Sequence, residues 1–474
     1  MDAQHVGDGD VDEPGVTAAS PALARRLGAW DATAIVVSNV VGGGIFFVPV
    51  IVAGLVPDRR LALLAWLVGG LLALAGAMAY AELAALRPRA GAEYVYLREA
   101  FGELPAFLTG WTSFVAGFSG AIAASAVALA GYLGRFVPAA ADARPILSLP
   151  LPFGSLVVSR QALVALAVIA AVSWVHHRGL GPGRLMQNTL AILKVLGLAA
   201  FVALGLGIGA APAATVVGAG APTAAGFLLA LVPVMFTYSG WNAAAYVAEE
   251  VRDPGRNVPR ALAMGTAAVI VIYLGLNLLY MRALPGGELA ELQGSLADTA
   301  AERLFSIDLA GAVAAFSIVS IAASISAMVL AGPRVYLAMA RDGLFFAGAT
   351  RIHPRFQTPS RAIWLQAAWS GVLVLSGTLA QLVGYTGFAV VLFAGIAVLA
   401  LFVLRRRLPR EPRPFRAWGY PLAPALFVAA ALLMVLNILW REPATSLPGL
   451  AIILAGVPIY FVAVRRRSRR SPLR

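Results

Sequence analysis

The 474-residue sequence has no cysteine and a single lysine, and only 12% of its residues are charged. Without cysteine there is no disulfide, no thiolate metal site and no cysteine nucleophile. Charged residues are about half as frequent as the ~25% of soluble domains. Hydrophobic residues make up 60%, and mean hydropathy is +0.82. A disordered chain, a coiled coil and an ordinary soluble enzyme are thereby excluded, which leaves an integral membrane protein. No nucleotide-binding motif and no pair of hydrolytic residues is present, so neither enzyme activity nor a cofactor is expected. The apolar runs hold no cluster of carboxylates, so neither a metal site nor sodium coupling through carboxylates is expected.

What the sequence does have is arginine. The formal net charge is +13, and every one of the 36 basic residues except Lys194 is arginine. The arginines gather in short clusters between apolar runs, notably 405–416 and 465–474. They therefore read as a positive-inside bias rather than a nucleic-acid surface. The final cluster is either this anchor or a lipid-recognition run.

Runs of about 20 apolar residues are each long enough to cross ~30 Å of hydrocarbon. About twelve are expected, at 28–55, 61–86, 104–134, 161–175, 185–206 and 226–248, then 259–280, 309–340, 360–375, 380–404, 421–440 and 447–464. The predicted class is an all-α integral membrane protein in contact with lipid. Its single domain spans 22–466, between an acidic disordered tail at 1–21 and a basic tail at 467–474. The arginine bias places both termini on the cytoplasmic side.

Two of these runs are interrupted by glycine. The first contains Val41-Gly42-Gly43-Gly44-Ile45-Phe46, and the sixth contains Phe236-Thr237-Tyr238-Ser239-Gly240-Trp241-Asn242. Each glycine costs a helix interior about 1 kcal/mol relative to alanine. One reading is close helix packing through small residues. The other is two discontinuous helices at equivalent places, five spans apart, as in an inverted repeat with its binding site at the bilayer midplane. Unwound backbone in a membrane is tolerated only where it lines a cavity.

At these residues the chain resembles the amino acid–polyamine–organocation superfamily of transporters, and its L-type amino acid transporter branch in particular. GGGIF is similar to the family's break in the first span. AYAELAALRPRAGAEYVY (79–96) resembles its second-span exit and following loop. FTYSGWNAAAYVAEEVRDPGRNVPRA (236–261) resembles its sixth span, and RVYLAMARDGLF (334–345) the end of its eighth. The likeness covers nearly the whole chain. It implies a 5+5 inverted repeat with discontinuous helices 1 and 6, plus two C-terminal helices. It also implies alternating-access transport of amino acids across the inner membrane, sodium-independent, by proton symport or exchange. Alternatives are a cationic amino acid or polyamine antiporter and a non-transporting amino acid sensor. The eukaryotic branch uses a disulfide-linked ancillary subunit, which a cysteine-free chain cannot attach.

An amino acid presents a carboxylate and an ammonium. At a helix break the N–H groups of Gly42, Gly43, Gly44 and Ile45 can hold the carboxylate, helped by the half-helix dipole. The resemblance implies that the carbonyls of Val40, Phe236 and Ser239 receive the ammonium, and that the Phe236 ring closes over the substrate. Gly43 stands where the family commonly has serine. Trp241 and Asn242 are expected to shape the side-chain pocket. No acidic residue stands out at the midplane, which favours a neutral substrate.

Lys194 lies about midway along the fifth run. An ammonium at that depth either snorkels towards an interface or is held by partners inside the protein. The resemblance supports the second arrangement, with the lysine in the place that sodium takes in related transporters. Arginine cannot substitute where a proton must leave, because its pKa stays above about 12. Ser320 and Ser324, four apart on the eighth run, share a face that can meet it. Glu82, Glu249 and Glu250 stand at span ends near Arg87, Arg252 and Arg256, as solvated ion pairs or as a latch. His176 and His177 also stand at a span end.

Overall fold

The computed structural model describes residues 23–151, 154–209, 221, 223–285, 287–292, 295–305, 310–376, 379–441 and 443–470. The tail at 1–21 and residues 471–474 lie outside them. The chain is mostly helical. Among the described residues, nine helices are long and apolar enough to cross a membrane. These are Arg59–Leu86, Glu103–Leu133, Arg160–His177, Leu180–Gly207, Pro254–Ala283, Gly311–Arg341, Gly387–Arg407, Leu422–Arg441 and Ser446–Arg465. Apolar side chains cover them almost without interruption, which suits hydrocarbon on one face and helix packing on the other.

The three remaining expected spans depart from a continuous crossing, two of them at the glycine clusters. The first is a helix Ala29–Val40, a 3-10 turn Gly43–Phe46 and a short helix Val48–Leu55. The sixth is a helix Ala224–Thr237, a turn with Gly240 at φ +98°, and a four-residue helix Ala243–Tyr246. A Cβ at Gly240 would lie 3.0 Å from the Asn39 carbonyl oxygen, so glycine lets the two broken segments touch. The third is the 16-residue helix Ser360–Leu375.

Two features depart from the sequence expectation. The segment before Arg160 is not helical but a hairpin, Leu147–Leu151 antiparallel to Gly154–Val158. Leu147, Leu149 and Leu151 alternate with Ser148 and Pro150, the two-residue period of a strand, so the fold is not strictly all-α. The last helix also runs to Arg470, past the expected start of a tail at 467.

The broken first span packs between the helices Leu180–Gly207, Ala310–Arg341 and Pro254–Ala283, and the broken sixth lies against Arg59–Leu86. The arginine-rich end is closed by ion pairs. Glu82, fully buried, accepts from Arg405 at 2.5 Å, from Arg413 at 3.1 Å and from the Ala417 N–H at 2.7 Å. Glu250 meets Arg334 at 2.7 Å with both side chains out of solvent. Glu249 meets Arg341 at 2.8 Å and accepts from the N–H groups of Leu23 and Ala90. The expected neighbours in sequence were the wrong partners. Arg87 instead pairs with Glu99 and Glu411, because the fold brings span ends together from distant parts of the chain.

Candidate functional site

Lys194 is fully buried, and its Nζ is held on three sides. It donates to the carbonyls of Ser38 (3.1 Å) and Val41 (2.5 Å), at the end of the first half-helix, and to the Ser324 hydroxyl (3.0 Å). Helix termination at Val40 leaves those carbonyls without later N–H partners of their own. The Ser324 hydroxyl, with one proton to give, lies within hydrogen-bonding distance of the same Ser38 and Val41 carbonyls, at 2.9 and 3.2 Å. The ammonium therefore ties the fifth and eighth spans to the break in the first. Ser320 offers Ser324 a third acceptor, its carbonyl at 3.3 Å, rather than a hydroxyl to Lys194. The snorkelling alternative does not describe this geometry.

The break itself is well supported. Gly42 donates to the Val40 carbonyl at 2.8 Å, and that same carbonyl accepts from Tyr273 at 2.9 Å. Gly43 and Gly44 open the 3-10 turn, so their N–H groups precede its first internal acceptor. A Cβ at Gly44 would meet the Thr237 hydroxyl at 3.0 Å, whereas one at Gly43 would meet nothing within 4 Å. In the sixth span, Pro233 removes a helix donor, and Thr237 donates back to the Pro233 carbonyl at 2.8 Å. Ser239 then closes a turn onto the Phe236 carbonyl at 3.0 Å. Of the three carbonyls expected to receive an ammonium, those of Val40 and Phe236 thus already accept one bond or more.

Beside these breaks lies a cavity of about 220 Å³. Phe236, Ser239 and Asn242 line it, with Asn39 from the first span. The Phe236 ring leans on the third-last long helix, 3.0 Å from where a Gly387 Cβ would be. Val40, Gly42, Gly43, Gly44 and Ile45 are not among the lining residues. Trp241 turns away from this cavity, packing edge-on against Tyr80 (4.9 Å) and Phe427 (5.4 Å). It shares a smaller neighbouring cavity with Ser239 and Asn242.

Several lining residues were not expected from the sequence, among them Asn39, Thr109 and Glu93. Glu93 begins the short helix Glu93–Phe101 and is buried, 7% exposed. Its Oε1 accepts from the Tyr80 hydroxyl at 2.6 Å and from Asn242 Nδ2 at 2.8 Å. The expectation that no acid reaches the site does not hold. Glu93 lies inside the quoted 79–96 motif, where nothing in the local sequence marks it. Only the fold turns that helix inward. His176 is likewise buried, with Nε2 2.9 Å from the Ser326 hydroxyl.

Two glycine-broken helices beside a cavity, a buried clamped lysine and nine long apolar helices among the described residues define a multi-pass membrane protein. Residues 27–464 match the amino acid permease family, and the chain belongs to it. It is 29% identical over 455 residues to the serine/threonine exchanger SteT of Bacillus subtilis, covering 94% of this chain and 98% of that protein. It is 29% identical over 476 residues to the human large neutral amino acids transporter small subunit 2, covering 97% and 85%. The Asc-type amino acid transporter 1 of mouse is 28% identical over 460 residues, covering 94% and 83%.

Proposed function

We propose that this protein is a secondary active transporter of neutral amino acids in the cytoplasmic membrane. It works by alternating access, independently of sodium, as an exchanger or a proton symporter. Both termini lie in the cytoplasm, lipid surrounds the helices, and the chain needs no disulfide-linked subunit. The α-carboxylate sits at the N–H groups of Gly43–Ile45, since the Gly42 N–H expected to join them is bonded to the Val40 carbonyl, and the α-ammonium at carbonyls of the two breaks, Ser239 foremost. Phe236 closes the cavity over the substrate. The observation that carries this reading is the Lys194 ammonium bound to the Ser38 and Val41 carbonyls. A covalently tethered cation there makes a free sodium ion unnecessary at the junction of the first, fifth and eighth spans. Unlike arginine, lysine can also release its proton during the cycle.

The second reading, a cationic amino acid or polyamine antiporter, is favoured by one observation, the Glu93 carboxyl on the cavity wall. Uptake of labelled amino acids into proteoliposomes tests both. Uptake of neutral substrates that is indifferent to sodium supports the proposal. Sodium dependence, uptake of cationic substrates only, or binding without uptake contradicts it; the last outcome describes a sensor. Dependence on internal substrate distinguishes exchange from symport, which acidifies the lumen.

A further inference from the structure

The first half-helix and the helix Leu180–Gly207 meet along matching polar stripes. On the first, Asp31, Ala34 and Ser38 follow at helical spacing and share a face. On the second, Arg184, Gln187 and Asn188 share a face, with Lys194 two turns beyond Gln187. The contacts run in register. Arg184 lies 3.7 Å from the Asp31 carboxyl, and Asn188 donates to that carboxyl at 2.6 Å. Gln187 reaches the Ala34 carbonyl at 3.4 Å, and Lys194 holds the Ser38 and Val41 carbonyls. Arg184 is exposed and Lys194 fully buried, so the stripe leads from the surface to the clamped ammonium.

Three buried polar atoms of this interface have no hydrogen-bond partner among the described residues: the Ser38 hydroxyl, Gln187 Oε1 and Asn188 Oδ1. Ser38 is 0% exposed and Gln187 1%. A buried polar atom left unmatched costs about 1–3 kcal/mol, and folded proteins keep few of them. Ordered water bonded to several such atoms is the usual remedy. The spacing suits it. Asp31, Ala34 and Ser38 follow one another at about 5 Å along the helix, a gap that one water bridges with two bonds of about 2.8 Å. Among the other groups around these helices, His176 packs on Gly183 and Tyr273 donates to the Val40 carbonyl. The helix Ala310–Arg341 meets Lys194 with Ser324, which carries no charge. Among the described residues, Asp31 is the one carboxylate bonded into this interface.

We propose that water held by Asn188, Gln187 and Ser38 forms a proton path between Lys194 and Asp31. The Nζ–H bond of the ammonium breaks, its electron pair stays on nitrogen, and a neutral amine remains. The proton passes from water to water along the stripe to the Asp31 carboxylate, which releases it to bulk water at the cytoplasmic end. Gln187 and Asn188 are positioning residues: they orient the water and give up no proton. This inference rests on the transport reading above, with its cytoplasmic termini and its Lys194 proton step, and adds the route.

The test uses proteoliposomes of the full chain loaded with a pH-sensitive dye, in wild type, Gln187→Leu and Asn188→Leu. Gln187→Leu is close in size and gives up only the 3.4 Å contact to Ala34, so it keeps the test open if Asn188→Leu does not fold. Net uptake into substrate-free vesicles requires the proton to leave. Exchange against internal substrate does not, because the loaded carrier returns with Lys194 still charged. Each folded variant is expected to slow net uptake and lumen acidification together by about tenfold or more, and to leave exchange near the wild-type rate. Equal loss of both modes in Gln187→Leu overturns the inference, because a residue that only packs the helices moves both alike. So does no loss in either mode. A wild type that takes up amino acids without moving protons overturns the path and leaves transport by exchange standing. Failure of the wild type to take up any amino acid overturns the transport reading first, and the path with it.

Discussion

The Lys194 ammonium and the Ser324 hydroxyl lie 3.0 Å apart and converge on the same two carbonyls, Ser38 and Val41. Helices from three parts of the chain thereby share one polar knot inside the apolar layer. Hydrogen bonds to a charged group are worth about 1.5–3 kcal/mol each, more than neutral ones. The knot joins the fifth and eighth spans to the end of the first half-helix, next to its glycines.

The glycines of the break are not equivalent. A Cβ at Gly44 meets the Thr237 hydroxyl at 3.0 Å and its methyl at 3.1 Å, whereas Gly43 faces open space. Gly44→Val should abolish uptake, through a displaced Thr237 and a blocked approach to the backbone. Gly43→Val should also impair uptake, but only by obstructing the carboxylate, with the fold intact. Uptake rates and size-exclusion profiles of both variants check this; wild-type uptake by a monodisperse Gly44→Val protein contradicts it.

Phe236 lines the cavity and leans on the backbone at Gly387. Phe236→Ala should lose most uptake, at least about tenfold, because the ring no longer closes over the substrate. Phe236→Trp should lose less, since an aromatic body remains. If the alanine variant transports as well as wild type, Phe236 serves only in packing.

The Arg334–Glu250 pair is wholly buried. Removing one partner strands the other charge, at a cost of about 3–5 kcal/mol. Arg334→Ala should therefore lower the melting temperature more than Arg341→Ala, whose pair with Glu249 is partly exposed. Thermal unfolding in detergent followed by tryptophan fluorescence measures the difference. Equal melting temperatures rule out the burial argument.

Burial alone would raise the Glu249 carboxyl, but Arg341 and the N–H groups of Leu23 and Ala90 outweigh it and hold the group below its usual value of 4.5. A depressed folded-state pKa adds stability above the unfolded value, and that stability is lost as pH falls through the folded one. The wild type should lose thermal stability as pH falls below 4.5 more steeply than Glu249→Gln. Parallel pH profiles for the two proteins would show that Glu249 carries none of this dependence.

The membrane architecture was largely legible in the sequence because hydrocarbon imposes it locally. A run of apolar residues declares a crossing wherever it stands, and the triplet Gly42–Gly44 and the lone Gly240 mark the two breaks. Lys194 was legible as the only lysine at a depth where a cation needs partners, and Ser324 as a residue on the facing run. Contacts across the chain were not. Glu82 finds Arg405 and Arg413, more than 300 residues away, and no local spacing announces that. Glu93 was not singled out because nothing in the local sequence GAEYV marks it; only packing against Tyr80 and Asn242 turns it into the cavity. The hairpin at 147–158 was missed because its residues are too few and too apolar to stand out among spans.

The most direct test of the account is uptake by Lys194→Ala and Lys194→Arg in proteoliposomes across a range of pH, on samples that remain monodisperse. If the lysine both clamps the break and releases a proton during the cycle, the alanine variant loses transport by about tenfold or more. The arginine variant then fails to restore it, because its guanidinium keeps its proton. Restoration by arginine would reduce Lys194 to a fixed structural cation. Wild-type uptake by Lys194→Ala at every pH would contradict the account.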